Sequence, residues 1–233
     1  MKVISMIGLP GAGKSTTANS LQKQGYNLIT ELPYSKLYSV FSIFAPKITY
    51  RLMGFPYYRK FSKDYDVLIQ FVMEMSREYT PTKEECSRVR EWYIHDLIIP
   101  YSRAKYSHFD ETVVIDEGFQ HRATTMFVSS NVKRQVPVLE VERYCKLIPK
   151  PEILIHVEED ISTCIQRLNT RESGWPKQAK NLNRSKKEEF IRNYDACIEM
   201  VIDNVRSNGI KIITVNKDTD VRSIVDQIES KLK

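Results

Sequence analysis

The segment Gly8-Leu9-Pro10-Gly11-Ala12-Gly13-Lys14-Ser15 constrains this chain more than any other part of it. It has the spacing G-x-x-x-x-G-K-[ST]. It also stands between a β-branched apolar run, Lys2 to Ile7, that reads as a buried strand and a stretch that reads as a short helix ending at Leu21. Glycine is otherwise scarce, with 8 in 233 residues and three of them at positions 8, 11 and 13. A backbone without side chains there can turn consecutive N–H groups around phosphate oxygens, and a helix starting near Lys14 adds the positive field of its N-terminus. Gly8, Gly11, Ala12 and Gly13 are therefore expected to cradle phosphate, with Lys14 reaching the β- and γ-phosphates of ATP. Ser15 is expected to ligate Mg²⁺ through its hydroxyl, and Thr16 to reach the α-phosphate.

Apolar runs and helical patterns alternate through the rest of the chain. Tyr26 to Thr30, Thr112 to Ile115, Glu152 to Val157 and Ile210 to Val215 read as four further strands. Such alternation predicts a five-stranded parallel α/β sheet with helices on both faces and ligands at the carboxyl ends of the strands. We expect a single domain over residues 1–233, with a helical insertion at 32–106 on the acceptor side. In that insertion Val67, Phe71, Met75 and Tyr79 fall four apart with Leu68 and Val72 beside them, giving one apolar stripe. Thr80-Pro81 reads as a cap opening a further helix to about Lys105. The insertion's many aromatic residues, from Tyr34 to Phe61, and its cations Arg51, Arg59 and Lys60 suit either a base-stacking site or a packed helical layer.

Composition removes several classes. No apolar run approaches the roughly 18 residues of a membrane span, and the N-terminal apolar segment is too short for a secretory signal, so a cytoplasmic protein is expected. Cys86, Cys145, Cys164 and Cys197 are scattered and read as buried reduced thiols. The net charge is +6, and it is concentrated: Arg167 to Arg192 holds eight Lys/Arg against three Glu. One basic segment suits a lid over the phosphates of a small ligand better than the broad stripe of a nucleic-acid surface. Within it, Thr170 to Ser185 reads as a mobile flap between two helices. Nucleic acid stays open as a partner but is not favoured, and a homodimer stays open as well.

The metal of a phosphate-binding loop needs a carboxylate at the end of a neighbouring strand, and Val113-Val114-Ile115-Asp116-Glu117-Gly118 supplies one. Side chains alternate along a strand, so one acid of the pair faces the site, and Asp116 is expected to be it, as metal anchor or as base. A switch GTPase requires D-x-x-G and N-K-x-D. Asp116-Glu117-Gly118 is one residue short of the first, and Thr219 stands in Asn216-Lys217-Asp218-Thr219 where the second needs a carboxylate.

With these features the chain resembles the P-loop kinases of small molecules, in particular the thymidylate kinase and deoxynucleoside kinase group. The resemblance implies a nucleotide-kinase-like P-loop fold, with ATP and Mg²⁺ as cofactors and a small-molecule acceptor. That acceptor would be a nucleoside or nucleoside monophosphate, with a sugar, another metabolite or a nucleic-acid hydroxyl as alternatives; apart from the resemblance, the loop also suits a nucleotide-binding module without kinase activity. The resemblance further implies an acceptor-side carboxylate after the second strand, which is Glu31 in Ile29-Thr30-Glu31-Leu32-Pro33. It also implies lid arginines at Arg167 and Arg171, assisted by Arg184, and an adenine contact at Asn216. These families follow the third strand with an acid and then Arg, whereas here Glu117 follows Asp116 and Arg122 comes later.

Overall fold

The first strand, β1 (Lys2–Gly8), is buried at every position after Lys2, as a parallel strand covered on both faces must be. A computed structural model describes residues 1–29, 46–80, 82–107, 111–128, 131 and 134–232, with backbone only for 46–53. On one side of β1 lie β3 (Thr112–Ile115) and then β2 (Asn27–Leu28). On the other lie β4 (Ile153–Val157) and then β5 (Lys211–Val215). All pairings are parallel, so the sheet is the five-stranded α/β sheet that the alternation predicts. The second strand is shorter than expected: only Asn27 and Leu28 pair with β3.

α1 (Lys14–Lys23) follows the glycine-rich loop and ends where Gly25, at φ 93°, turns the chain toward β2. It packs on α10 (Val221–Leu232), which lies against β5. α6 (Phe119–Phe127) and α9 (Arg184–Ser207) pack on β1 and on each other, with α7 (Val138–Leu147) against α9. α8 (Ile161–Thr170) follows β4.

Residues 46–106 form α2 (Pro46–Asp64), α3 (Asp66–Tyr79), α4 (Lys83–Glu91) and α5 (Ile99–Tyr106), with a π-wound segment over Trp92–Ile98. On α3 the buried face is Leu68, Phe71, Val72, Met75, Ser76 and Tyr79. Val67 is not part of it and is 48% exposed, because the stripe begins one residue later than its spacing suggested. Pro81 lies outside the described residues. The cap of α4 is Thr82, not Thr80, because Thr82 accepts a hydrogen bond from Glu85 N–H at 3.1 Å and so satisfies a free amide of the first turn. The π winding has a local cause. Pro100 has no N–H for the carbonyl of Asp96 four residues back and its ring crowds that carbonyl. The helix therefore widens, and Ile99 N–H reaches the carbonyl of Ile94 instead.

The insertion's aromatic residues divide sharply. Phe61 is fully buried, stacked on Phe119 and Tyr65, whereas Phe55 is exposed. Tyr34, Tyr38, Phe41 and Phe44 lie outside the described residues, as does Glu31. Three of the four free cysteines are buried and Cys86 is half-buried. Among the described residues no helix is long and apolar enough to cross a membrane.

Gly8 closes β1 in register with Val157, and a Cβ placed on it would come within 2.4 Å of the Val157 carbonyl oxygen. A backbone oxygen cannot rotate away, so the two central strands would have to part. Gly8→Ala is expected to destabilise the fold by about 1–3 kcal/mol, lowering Tm by roughly 2–4 °C for each kcal/mol in a thermal melt.

Candidate active site

The loop between β1 and α1 adopts left-handed backbone at Gly11 (φ 89°) and Gly13 (φ 106°), which explains why those two positions carry no side chain. Ala12 N–H bonds back to the carbonyl of Leu9 at 3.1 Å, tightening the turn, and Gly13 caps α1. The Lys14 side chain folds into this turn. Its Nζ donates to the carbonyls of Gly8 (2.9 Å) and Leu9 (3.1 Å), and the residue is only 8% exposed. Burial lowers the Lys14 pKa from 10.5 to about 8, against the opposing pull of the Glu117 and Asp116 carboxylates.

Around the loop opens a cleft of about 1030 Å³ at the carboxyl edge of the sheet. Its walls bring together most of the residues the sequence singles out: Gly11, Ala12, Gly13, Lys14, Ser15 and Thr16 from the loop, Arg167 and Arg171 near the end of α8, and Asn216 after β5. Ser15 and Thr16 are exposed at the start of α1. Gly8 sits beneath, in the sheet. Arg167 is fixed from two sides, donating to the Gly11 carbonyl at 3.0 Å and to Glu159 at 2.7 Å. Arg171 follows the last residue of α8 in extended conformation, so the two arginines do not share a helical face. Its Nε donates to the Gly174 carbonyl at 2.6 Å. Arg184 is not on the cleft wall; it opens α9, 95% exposed, and pairs with Glu188 one turn on.

The strand-end acids are arranged differently from the sequence reading. Glu117 lines the cleft, whereas Asp116 is half-buried and does not. The Asp116 pKa is raised, first by desolvation and then by the Glu117 charge beside it. Glu117 is held by Arg122 at 3.3 Å, a guanidinium almost wholly buried in the first turns of α6. His121 approaches Glu117 at 3.9 Å and meets the Tyr194 hydroxyl at 3.0 Å. Burial, with Lys14 and Arg122 nearby, pushes the His121 pKa well below its usual value, so it is neutral at neutral pH and Arg122 is the cation that holds Glu117. Trp92 and Asp96, one turn apart on the π-wound segment, also line the cleft, as do Lys177 and Gln178. Desolvation raises the Asp96 pKa while Arg122 lowers it. The sequence reading missed this group. The one available signal was Pro100, whose effect falls four residues earlier.

The segment expected to be a mobile flap is built of turns with its own anchors. Trp175 is buried and donates from Nε1 to Asn169 Oδ1 at 2.8 Å, and Ala179 is fully buried. After β5, Asn216 Oδ1 accepts from Asp218 N–H (3.0 Å) and the Thr219 hydroxyl (2.9 Å), which fixes the loop that leads into Val221 and Ile224 on the cleft wall.

No protein-family model and no curated protein matches this chain by sequence. Solved structures do resemble it. Deoxyadenosine kinase from M. mycoides with bound dATP is 16% identical, with 100% of this chain and 99% of that chain covered, at a TM-score of 0.50. The same enzyme with bound dCTP is 18% identical at a TM-score of 0.45. With the products dCMP and a flexible dCDP it is 17% identical at a TM-score of 0.45, and in both cases the match covers 99% of this chain and 98% of that chain. The likeness to the dATP-bound structure identifies the fold as an α/β P-loop nucleotide-kinase fold.

The lowered Lys14 pKa has a measurable consequence. At pH 9 the free ammonium has mostly lost its proton, whereas a polyphosphate beside it favours the charged form and raises the pKa. Calorimetric titration with ATP in buffers of different ionisation enthalpy is expected to show uptake of about one proton per nucleotide at pH 9 and about a tenth at pH 7. Lys14→Met is expected to abolish that uptake.

Proposed function

We propose that this chain is an ATP-dependent phosphotransferase that moves the γ-phosphoryl of Mg·ATP to a hydroxyl of a nucleoside. The observation that carries this reading is the convergence, in one cleft, of the phosphate loop with Lys14, the Arg122-held carboxylate of Glu117 and the cations Arg167 and Arg171. The fold likeness to a deoxyadenosine kinase structure holding dATP supports a nucleoside as the acceptor.

The donor's triphosphate lies in the glycine loop, where Lys14 leaves its own carbonyls for the β- and γ-phosphates and Thr16 meets the α-phosphate. The adenine lies toward Asn216, Val221 and Ile224. The exposed Ser15 hydroxyl is an oxygen donor that would suit a cation that keeps several waters and shares the substrate's phosphates, with Asp116, set back from the cleft wall, as the carboxylate behind it, while Glu117 stays free to act as base. When bound, Mg²⁺ supplies neutralising charge to the phosphoryl oxygens. The chain itself positions and deprotonates. Glu117, oriented by Arg122, takes the proton from the acceptor hydroxyl as its oxygen bonds to the γ-phosphorus. The bond from that phosphorus to the β–γ bridging oxygen breaks, and its electron pair leaves with ADP. Arg167, held against the loop by Glu159, and Arg171 balance the charge that spreads over the phosphoryl oxygens. Glu31 remains a candidate for the acceptor-side carboxylate, on the resemblance alone.

Incubation with γ-labelled ATP and panels of nucleosides, nucleoside monophosphates, sugars and oligonucleotides tests the reading. Label is expected on nucleosides, and tight ATP binding with no transfer to any panel would overturn it. Lys14→Ala is expected to lower transfer by about 10²–10³-fold or more, and Glu117→Gln by about 10²–10⁴-fold while ATP affinity holds.

A further inference from the structure

Trp92 and Asp96 line the cleft from the π-wound segment, whereas Tyr93, next to Trp92 in sequence, is buried and does not. The Tyr93 hydroxyl meets the hydroxyl of Tyr144, a fully buried residue on α7. The Tyr144 hydroxyl donates in turn to the Phe119 carbonyl at 2.7 Å. A carbonyl brings no hydrogen and each phenol has one, so Tyr93 donates to Tyr144 and the chain of hydrogen bonds runs in a single direction. Phe119 opens α6, between Glu117 and the arginine that holds it, Arg122. Two hydroxyls therefore tie one wall of the cleft to the turn that carries the acid and its guanidinium.

We propose that Tyr93 and Tyr144 are positioning residues for phosphoryl transfer, holding the π-wound wall of the cleft at a fixed distance from the Glu117–Arg122 pair. This rests on the phosphotransfer reading above. Packing alone does not require the two hydroxyls. The rings already meet edge to face, Tyr93 with Tyr144 at 6.4 Å and with Phe119 at 6.1 Å between centroids, and the Phe119 carbonyl has a helical partner in the N–H of Ala123. Replacing both members of a buried hydrogen-bonded pair by apolar groups of the same shape is close to neutral for stability. What the hydroxyls add is direction, because rings in contact can slide whereas two hydrogen bonds in series fix separation and register together. Burial raises both phenol pKa values, so the chain keeps its protons at neutral pH. Asp96 lies close enough to Glu117 and Arg122 to feel both charges, so its wall bounds the space in front of the acid, where the acceptor hydroxyl must stand. A shift of about 1 Å between that wall and Glu117 is enough to cost up to about 10²-fold in rate.

The test measures transfer from γ-labelled ATP to a panel of ribo- and deoxyribonucleosides, together with a thermal melt, for the unaltered chain, Tyr93→Phe, Tyr144→Phe and the double variant. Each single variant is expected to lose about tenfold in kcat. Tyr144→Phe leaves the Tyr93 hydroxyl buried without a partner, and its Tm is expected to fall by about 2–10 °C. The double variant is expected to regain Tm to within about 2 °C of the unaltered chain. Its kcat is expected to stay about tenfold low, because the two hydroxyls act as one unit, with KM for ATP within about threefold because the glycine loop takes no part in the chain. A pair with a merely structural role would let the rate recover with the Tm. A double variant with full kcat, one slowed by the product of the two single losses, or one whose Tm stays as low as that of Tyr144→Phe would each overturn the proposal. Normal transfer by the unaltered chain beside any of these sinks this inference alone. An unaltered chain that labels no nucleoside sinks the reading beneath it as well.

Discussion

A lysine ammonium buried against two backbone carbonyls is costly for a fold to keep, and Lys14 is held in that way at the end of the central strand. Its environment both lowers its pKa and leaves it poised for a better partner. The carbonyls of Gly8 and Leu9 are neutral acceptors, and a phosphate oxygen carries charge. The loop that makes this possible depends on left-handed backbone at Gly11 and Gly13 and on the close approach of Gly8 to Val157. The position of β1 between β3 and β4 then brings the other chemistry within reach, because the strands that flank it deliver the acids after Ile115 and the helix that carries Arg167.

The charges around the cleft are arranged in restrained pairs. Arg122 holds Glu117, Glu159 holds Arg167, and the Gly174 carbonyl holds Arg171. Neutral His121 fills the space between Glu117 and Tyr194 without adding a competing cation. Preorganised charges of this kind need little rearrangement when substrate charge develops, which is where positioning enzymes gain most of their rate. Lys177, also on the cleft wall, rests on the face of Trp92.

The parts legible in the sequence are those with local causes. A glycine required by positive φ and an apolar run required by burial on both faces leave their mark at the residue concerned. The loop and the five strands carry such marks, whereas Arg167, Arg171 and Asn216, which do line the cleft, are expected only from the charge concentrated in 167–192 and from the resemblance. The parts that were not legible have causes at a distance. Pro100 widens the helix around Asp96, so a reading at 3.6 residues per turn could not anticipate Trp92 and Asp96 on the cleft wall. Glu117 rather than Asp116 lines the cleft because Arg122, on the next helix, reaches back across the turn to hold it. In sequence that same arginine looked only like a departure from the kinase pattern. Arg184 was counted with the lid by proximity in the chain, but it pairs along its own helix.

On the proposed function, recognition of the phosphate chain falls to the glycine loop and Lys14, with the base a secondary handle. Calorimetric titration of the unaltered protein with ATP, ADP, AMP and adenosine at pH 7.5 tests it most directly. Affinity is expected to fall by about tenfold or more, roughly 1.4 kcal/mol, as each of the β- and γ-phosphates is removed. AMP or adenosine binding as tightly as ATP would contradict it.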